Sequence, residues 1–182
     1  MKVDGNIKKF YHYSFPTQAA LVTCNDSDNK TNVITIAWHT TISKNPPLYG
    51  ISVAPGRYSH DLIKKSKEFV INFAPYNLAE KINFCGTHSG RKTDKISETN
   101  LTLIPSKKIK TPAIKECFTH LECKLFDACS LGDHTLFVGE VLNVLLDDGA
   151  FVNDLIDNKK IQPCYYIGDC VYTTIGKNIT KL

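Results

Sequence analysis

The chain has no long apolar run. No stretch of its 182 residues approaches the roughly 20 consecutive apolar residues that a membrane-spanning helix requires. Residues 1–5 lead into mixed polar residues instead of the apolar segment of a secretory signal. We therefore expect a cytoplasmic protein that has no membrane partner.

The chain also lacks a block of basic residues. Lys and Arg total 22 against 18 Asp and Glu, which gives a net charge of +4, and the basic residues are scattered along the sequence. Nucleic-acid binding needs a concentrated basic face, so the charge pattern does not favour a nucleic-acid partner. A small anionic ligand agrees better with this modest positive charge.

Seven cysteines are present, yet no Cys-x-x-Cys motif is found among them. Gaps of five residues separate Cys117, Cys123 and Cys129, and this spacing does not match that of zinc sites. On one strand these even steps would put all three thiols on the same face. The pattern favours buried, reduced thiols and no metal site, and a metal protein built on these three cysteines and a histidine is kept as an alternative.

No Gly-x-Gly-x-x-Gly fingerprint of a dinucleotide-binding domain occurs. A nicotinamide nucleotide, if one takes part, would therefore bind transiently and without a Rossmann domain. The length and the 42% hydrophobic content fit a single domain over residues 1–182.

Strand signals dominate this domain, because β-branched and aromatic residues recur between turn residues. The predicted strands are 19–24, 31–38, 47–53, 68–73, 119–126, 134–146, 165–167 and 171–172. The helices are inserted among the strands without regular alternation. This order predicts a mainly β protein with inserted helices, built as a closed antiparallel barrel.

Three short helices are predicted between these strands. The first covers 61–66, with Ser59 or His60 at its entry. The second covers 78–85, since Asn77 and Glu80 have capping-box spacing and Gly86 offers a stop. The third begins at Thr93, and residues 107–112 are expected to form an exposed loop.

Two polar stretches stand immediately before helical patterns. They are Arg57-Tyr58-Ser59-His60 and the segment 89–95, Ser-Gly-Arg-Lys-Thr-Asp-Lys. Hydroxyl groups and fixed positive charge at a helix start can receive a phosphate through free backbone N–H groups and the helix dipole. A phosphorylated small molecule is therefore the predicted ligand.

Six motifs follow one another along the chain. They are Asn32-x-x-Thr35-x-x-Trp38, Thr41-x-Ser43-x-x-Pro46-Pro47, Arg57-Tyr58-Ser59-His60, Phe69-Val70-Ile71-Asn72, Cys85-Gly86-x-x-Ser89-Gly90-Arg91-x-x-Asp94-Lys95 and His134 to Glu140. In this order they resemble the flavin reductase-like family of FMN-binding split barrels, and its flavoredoxin group in particular. The likeness spans about residues 10–176, and the order of the motifs is more specific than any single one.

The resemblance implies a split β-barrel of the antiparallel Greek-key type and a homodimer with one FMN per protomer near the subunit interface. Electrons would pass through the flavin, with NAD(P)H as a transient donor and a redox partner or small molecule as acceptor. The chemistry belongs to the cofactor, so no catalytic acid, base or nucleophile is expected. The implied activity is that of an FMN-dependent electron-transfer protein or flavin oxidoreductase.

The resemblance also assigns residues to the cofactor. Four of them are expected at the isoalloxazine ring or its edge: Asn32, Trp38, Thr40 and Thr41. The phosphate or ribityl contacts are expected from Arg57, Ser59, His60, Arg91 and Lys95. His134 is expected to face the flavin.

Other interpretations of these residues remain open. Trp38 lies in an apolar segment and could belong to the core, and Arg91 and Lys95 could form a solvated helix face. His88 is interpreted as structural. A non-enzymatic module that holds or senses a flavin or nucleotide is the alternative function.

Overall fold

The structure, a computed structural model, describes residues 1–176. Its main sheet has seven antiparallel strands in the order β3-β2-β6-β9-β10-β5-β4. These strands are β2 (Ala20–Asn25), β3 (Thr31–Ile36), β4 (His39–Lys44), β5 (Pro47–Val53), β6 (Glu68–Phe73), β9 (Thr119–Leu131) and β10 (His134–Leu146).

The remaining elements are short. A 3₁₀ helix covers Ile7–Ser14, and the α-helices are α1 (Tyr58–Ser66), α2 (Ala79–Thr87) and α3 (Lys95–Thr99). The short strands are β1 (Thr17–Gln18), β7 (Leu103–Ile104), β8 (Ala113–Ile114), β11 (Phe151–Val152), β12 (Leu155–Ile156), β13 (Tyr165–Gly168) and β14 (Val171–Thr173). Strand β13 pairs with both β1 and β14 in a small second sheet. No helix within residues 1–176 is long and apolar enough to cross a membrane.

The mainly β architecture with inserted helices is confirmed, with one correction. The edge strands β3 and β4 do not pair with each other in the described chain, so the sheet is open and lacks the full closure that the strand pattern predicted. Strand β4 itself was not predicted. Its polar sequence, His-Thr-Thr-Ile-Ser-Lys, suits an exposed edge and gives no clear apolar alternation.

Two buried clusters fill the two sides of this sheet. The first, around Phe69 and Phe137, packs against α1 through Leu62 and Ile63. The second, around Leu21 and Val33, packs against α2 through Ile82 and Cys85. Successive residues of β2 and β3 belong alternately to the two clusters, because successive side chains of a strand point to opposite faces of the sheet. Helices α1 and α2 are thereby held on opposite faces of the same two strands.

The helix boundaries differ from the predictions. Helix α1 begins at Tyr58 with Arg57 as its N-cap, so Ser59 and His60 lie inside its first turn. Helix α2 begins at Ala79, because Asn77 is taken up in a preceding 3₁₀ turn, and it continues through Gly86 to Thr87.

The third helix begins two residues later than predicted. Asp94 is its N-cap, and the carboxylate accepts a hydrogen bond from the Ser97 N–H at 3.3 Å. The predicted loop at 107–112 is confirmed, since no helix or strand forms there.

Candidate functional site

A groove follows β3 and passes between α1 and α2. Its central cavity, of about 300 Å³, is called the Trp38 cavity. It is lined by Ile34, Thr35, Ile36, Ala37, Trp38, Ser52, Val53, Ala54, Arg57, Gly86 and His134. The indole of Trp38 is 37% exposed, and its ring lies 4.9 Å from the His134 ring and 5.5 Å from that of Tyr11. The indole of Trp38 and the aliphatic side chains beside it offer a flat surface to a planar ligand.

The Ser59 cavity adjoins the Trp38 cavity at the start of α1. It is lined by Ile34, Gly56, Arg57, Tyr58, Ser59, Gly86, His88, Ser89 and Lys95. No side chain caps the helix at Arg57, so N–H groups of the first turn are available to a ligand. Free N–H groups and the positive end of the helix dipole favour an anion here.

Ser59 is the buried polar centre of this cavity. Its hydroxyl accepts a hydrogen bond of 2.7 Å from the Asn32 amide, and both residues are buried. Gly90 lies against the same amide, since a Cβ on Gly90 would overlap the Asn32 Oδ1. The close approach of the 89–95 loop to β3 therefore depends on the missing side chain at Gly90.

Lys95 brings a buried positive charge to the same place. Its side chain is almost inaccessible, and the ammonium donates one hydrogen bond, of 2.8 Å, to the Cys85 carbonyl near the end of α2. An ammonium carries three donors, so two have no acceptor among residues 1–176. Burial lowers the pKa of Lys95, while the neighbouring Cys85 and Cys24 thiols oppose that shift.

Arg57 lies between the cavities. It lines the Trp38 cavity, the Ser59 cavity and a third one described below. Its guanidinium forms no hydrogen bond or ion pair with any residue in the range 1–176. Five N–H donors at the centre of a groove are thus left to a ligand or to solvent.

Arg91 is already engaged. Its guanidinium pairs with Asp61 at 2.8 Å, donates to the Gly56 carbonyl at 3.2 Å and lies 5.1 Å from the centre of the Tyr58 ring. It lines a polar cavity of about 180 Å³ beyond Lys95, together with Asp26, Lys30, Thr31, Asn32, Tyr58, Gly90, Thr93, Asp94 and Lys95. A phosphate contact by Arg91 stays a prediction, and only its remaining donors are open to it.

The structure separates Asn32 from the other residues expected at the flavin ring. Asn32 lies beside Ser59 at the start of β3, whereas Trp38 follows the end of that strand. The two side chains therefore lie at different points along the groove, and contact of Asn32 with the flavin ring stays a prediction. Thr40 and Thr41 are exposed on the edge strand β4 and line none of these cavities.

His60 lies in the core. Its Nε2 is 2.9 Å from the Thr135 hydroxyl and its ring packs 5.1 Å from Phe137. Because it lies in the first turn of α1 and points to the first cluster, it lines none of the cavities of the groove. His88, by contrast, lines the Ser59 cavity and stacks on Phe84 with ring centres 3.9 Å apart.

The prediction that Cys117, Cys123 and Cys129 share one face is wrong. Cys117 precedes β9 and is buried in the second cluster, whereas Cys123 is buried in the first. A bulge in β9 between Leu125 and Asp127 then breaks the alternation before Cys129. Within residues 1–176, no group of three or more His, Cys, Asp or Glu side chains is arranged to hold a metal ion.

Residues near the C-terminus complete the site. A cavity of about 290 Å³, called the Tyr166 cavity, shares Thr35, Ala37, Arg57 and Gly86 with the Trp38 cavity. Its other lining residues are Asn83, Thr87, Tyr166, Cys170 and Tyr172. The sequence predicted strands here but carried no signal that they approach α2, since that contact is tertiary.

Known proteins share this architecture. A family model described as flavin reductase like domain matches residues 12–168. An uncharacterized protein of Archaeoglobus fulgidus is 38% identical over 176 residues, which covers 97% of this chain and 94% of that protein. Flavoredoxin of Desulfovibrio vulgaris superposes with a TM-score of 0.84 at 26% identity, covering 92% of this chain and 91% of its own.

An FMN-binding protein of Thermus thermophilus is also similar in structure. Solved with bound 1-cyclohex-2-enone, it gives a TM-score of 0.84 at 27% identity and covers 100% of this chain and 98% of its own. The same description, with bound p-hydroxybenzaldehyde, applies to a second structure at 25% identity, a TM-score of 0.84 and the same coverage. The aligned region therefore includes every strand of the main sheet.

Proposed function

The chain belongs to the flavin reductase-like family, and on that premise we propose that it binds FMN and passes electrons through it. The observation that carries the proposal is a continuous groove with two chemically different ends. One end, at Trp38 and His134, is flat and aromatic, and the other, at Ser59 and Lys95, is polar and positively charged. A flavin mononucleotide has the same division between its ring and its phosphate.

The residues of the Ser59 cavity fit a phosphate group. Two unused donors of the buried Lys95, the free guanidinium of Arg57 and uncapped N–H groups of α1 surround one small space. Hydrogen bonds from charged donors to a phosphate are among the stronger ones in proteins. We assign the phosphate to this group, with Ser59 orienting it and Asn32 fixing the Ser59 hydroxyl.

The residues of the Trp38 cavity fit the isoalloxazine ring. Bound FMN supplies the electron-transfer chemistry, and the chain supplies position and exclusion of water. Trp38 covers one side of the cavity, and its contact with His134 fixes both rings. Asp133 holds the His134 Nδ1 at 2.7 Å. No protein acid, base or nucleophile is assigned to the reaction.

NAD(P)H is the proposed transient donor. It would approach the flavin from solvent, since the groove is open. A redox partner or a small molecule is the proposed acceptor. We include small carbonyl compounds among these acceptors because the Thermus thermophilus protein was solved with two of them bound.

We further propose a homodimer. Large apolar side chains are exposed on the long β9–β10 hairpin and on β4, and such exposure is typical of protein interfaces. They are Ile42, Phe126, Leu131, Leu142, Val144 and Leu146. Light scattering at micromolar concentration should give the mass of two chains, and a flavin-loaded monomer would contradict this proposal.

Anaerobic reduction tests the function directly. Protein saturated with FMN is gel-filtered and then mixed in parallel with NADH, NADPH or reduced ferredoxin, and the flavin absorbance is recorded. We expect FMN to remain bound and at least one donor to bleach it. Protein that emerges without flavin contradicts the binding proposal, and flavin that no donor reduces favours the non-enzymatic module.

A further inference from the structure

We propose that a cavity on the side of the small sheet away from the groove binds a small organic cation. This cavity measures about 340 Å³ and is called the hairpin cavity, because the β11–β12 hairpin forms one of its walls. None of its described lining residues also lines a cavity of the groove. Tyr165 lines it, whereas the next residue of β13, Tyr166, lines the groove, since successive strand residues point to opposite faces. The site is therefore independent of the flavin.

The walls of the hairpin cavity come from three separate sheets. Each sheet contributes one cross-strand pair, and the two side chains of such a pair lie next to each other on one face. The pairs are Phe73 with Thr119 in the main sheet, Gln18 with Tyr165 in the small sheet and Phe151 with Ile156 in the hairpin. Because strand pairing fixes all three pairs, the cavity is formed before any ligand binds.

One buried hydroxyl in this cavity lacks a partner. Thr119 is only 7% exposed, and its Oγ1 is buried without a hydrogen bond to any residue in the range 1–176. Buried polar side chains in proteins nearly always have a partner, so this oxygen indicates a polar group on a ligand. A hydroxyl both donates and accepts, so Thr119 does not by itself decide the charge of that group.

The other lining residues decide the charge. Four aromatic rings line the cavity, those of Phe73, Phe118, Phe151 and Tyr165, and the faces of such rings attract cations. Asp154 adds an exposed carboxylate, which forms no ion pair with the described residues. No described lining residue is basic, so an anion finds no partner here. A volume at the small end of ligand sites limits the ligand to one ring or a short chain that carries an ammonium group.

Asp154 lies in the tight turn of the hairpin. Asn153 and Asp154 have φ values of 51° and 61°, in the left-handed region that two-residue hairpin turns use. Asparagine adopts this region readily. Asp154→Asn therefore removes the charge and keeps the turn. Asp148, exposed between β10 and β11 and outside the cavity, offers the matched control.

The test compares benzylamine, a cation at neutral pH, with benzyl alcohol, which has the same ring and no charge. Each is titrated by calorimetry into the protein with and without saturating FMN. We expect benzylamine to bind about three- to tenfold more tightly than benzyl alcohol, the combined range of one exposed ion pair and one cation–π contact. FMN should leave both affinities unchanged, because the hairpin cavity and the groove share no described lining residue.

The variants separate the charge from the hydroxyl. Asp154→Asn should reduce the affinity for benzylamine by about two- to fivefold and leave that for benzyl alcohol unchanged. Asp148→Asn should change neither affinity. Thr119→Val keeps the size of the side chain and should weaken the binding of both probes to the same extent, since either can donate to the hydroxyl oxygen.

Equal binding of the two probes, no measurable binding of either, or a preference for benzylamine that Asp154→Asn leaves unchanged would overturn the site. An equal loss in Asp148→Asn would also overturn it, because net charge alone would then explain the preference. Competition between FMN and benzylamine would place the probe in the groove and contradict the proposal. Failure of FMN to bind contradicts the proposed function instead, and the titration without FMN remains valid.

Discussion

Two buried charged residues, Glu122 and Lys95, differ in the number of hydrogen bonds that the fold provides for them. The Glu122 carboxylate accepts hydrogen bonds from the Lys107 and Lys108 N–H groups, at 3.0 and 2.7 Å, and from the Asn143 amide at 2.8 Å. The Lys95 ammonium has one acceptor in the part of the chain that the structure describes, the Cys85 carbonyl. Both side chains are almost inaccessible to solvent.

The difference distinguishes a buried charge that stabilises the fold, Glu122, from one that has donors left for a ligand, Lys95. A buried charge with its partners in place holds a loop, here the 107–112 loop, against the sheet. A buried charge that lacks partners costs free energy unless a ligand supplies them. A similar arrangement is found at the buried amide of Asn72, whose oxygen accepts hydrogen bonds from both the Ile114 N–H and His120, so that this side chain is also tied to the fold.

The largest expected effect is on stability. Glu122→Gln places an NH₂ group or a weaker acceptor opposite two backbone N–H groups, and we expect the free energy of unfolding to fall by about 3 kcal/mol. Thermal and denaturant unfolding measure this, with the exposed Glu80→Gln as control. FMN affinity of the folded fraction should not change. A stability equal to that of the control would show that Glu122 does not anchor the loop.

The stability should also depend on pH through Glu122. Burial alone would raise its pKa, but the hydrogen bonds from Lys107, Asn143 and Lys108 together hold it below the ordinary value of 4.5. Stabilisation by the carboxylate is therefore complete above pH 4.5 and is lost as the pH falls through the lowered pKa. Wild-type protein should lose more stability in this acidic range than Glu122→Gln does.

Lys95→Met should have the next largest effect. This effect should be on the affinity for FMN and not on the stability of the fold. Loss of its contact with the phosphate should weaken FMN binding by about 10- to 100-fold, the equivalent of one strong charge-assisted hydrogen bond. The apoprotein should melt at the same temperature or higher, because a poorly paired buried charge is removed. Lys64→Met, on the exposed end of α1, is the control. A large drop in melting temperature with unchanged FMN affinity would make Lys95 structural.

A smaller effect on FMN affinity is expected when the pH of the solution is raised into the alkaline range. Because the pKa of Lys95 lies below its ordinary 10.5, the free protein loses this charge before an unfolded chain would. FMN affinity should fall as the pH rises through the lowered pKa, and Lys95→Met should lose this dependence. Fluorescence titration across the alkaline range measures it, and an identical pH profile in the variant would refute the assignment.

Arg91→Ala should have the smallest effect of the three variants. Its guanidinium is half exposed and already pairs with Asp61, and exposed ion pairs contribute about 0 to 1 kcal/mol. We expect FMN affinity to fall by less than about fivefold, which corresponds to that range. A loss as large as that of Lys95→Met would mean that Arg91 leaves Asp61 when the ligand binds.

The sequence predicted most of the sheet because period-two alternation and turn residues are local signals. It also predicted that Ser59 and Lys95 are polar groups near a helix start. The sequence did not predict the roles of residues whose position depends on tertiary packing. His60 and Ser59 are neighbours in sequence, yet the start of α1 at Tyr58 turns one to the core and leaves the other on the groove.

The burial of Lys95 was likewise not predictable from the sequence. Its spacing from Arg91 is typical of a solvated helix face, and only the approach of the 89–95 loop to β3 and α2 buries it. The position of Tyr166 in the wall of a cavity that Arg57 also lines likewise depends on the pairing of β13 with β1 and β14. None of these contacts leaves a pattern in the local sequence.

The central claim is that the Lys95 ammonium, which has one acceptor within residues 1–176, uses its remaining donors to bind the FMN phosphate. The most direct measurement is the affinity of FMN and of riboflavin for wild-type protein and for Lys95→Met. In the wild type we expect FMN to bind more tightly than riboflavin by about 2 to 4 kcal/mol, since two charge-assisted contacts are gained. In Lys95→Met that difference should shrink by at least about 1.4 kcal/mol, one factor of ten, while riboflavin affinity stays constant. An equal preference for FMN in both proteins would contradict the account.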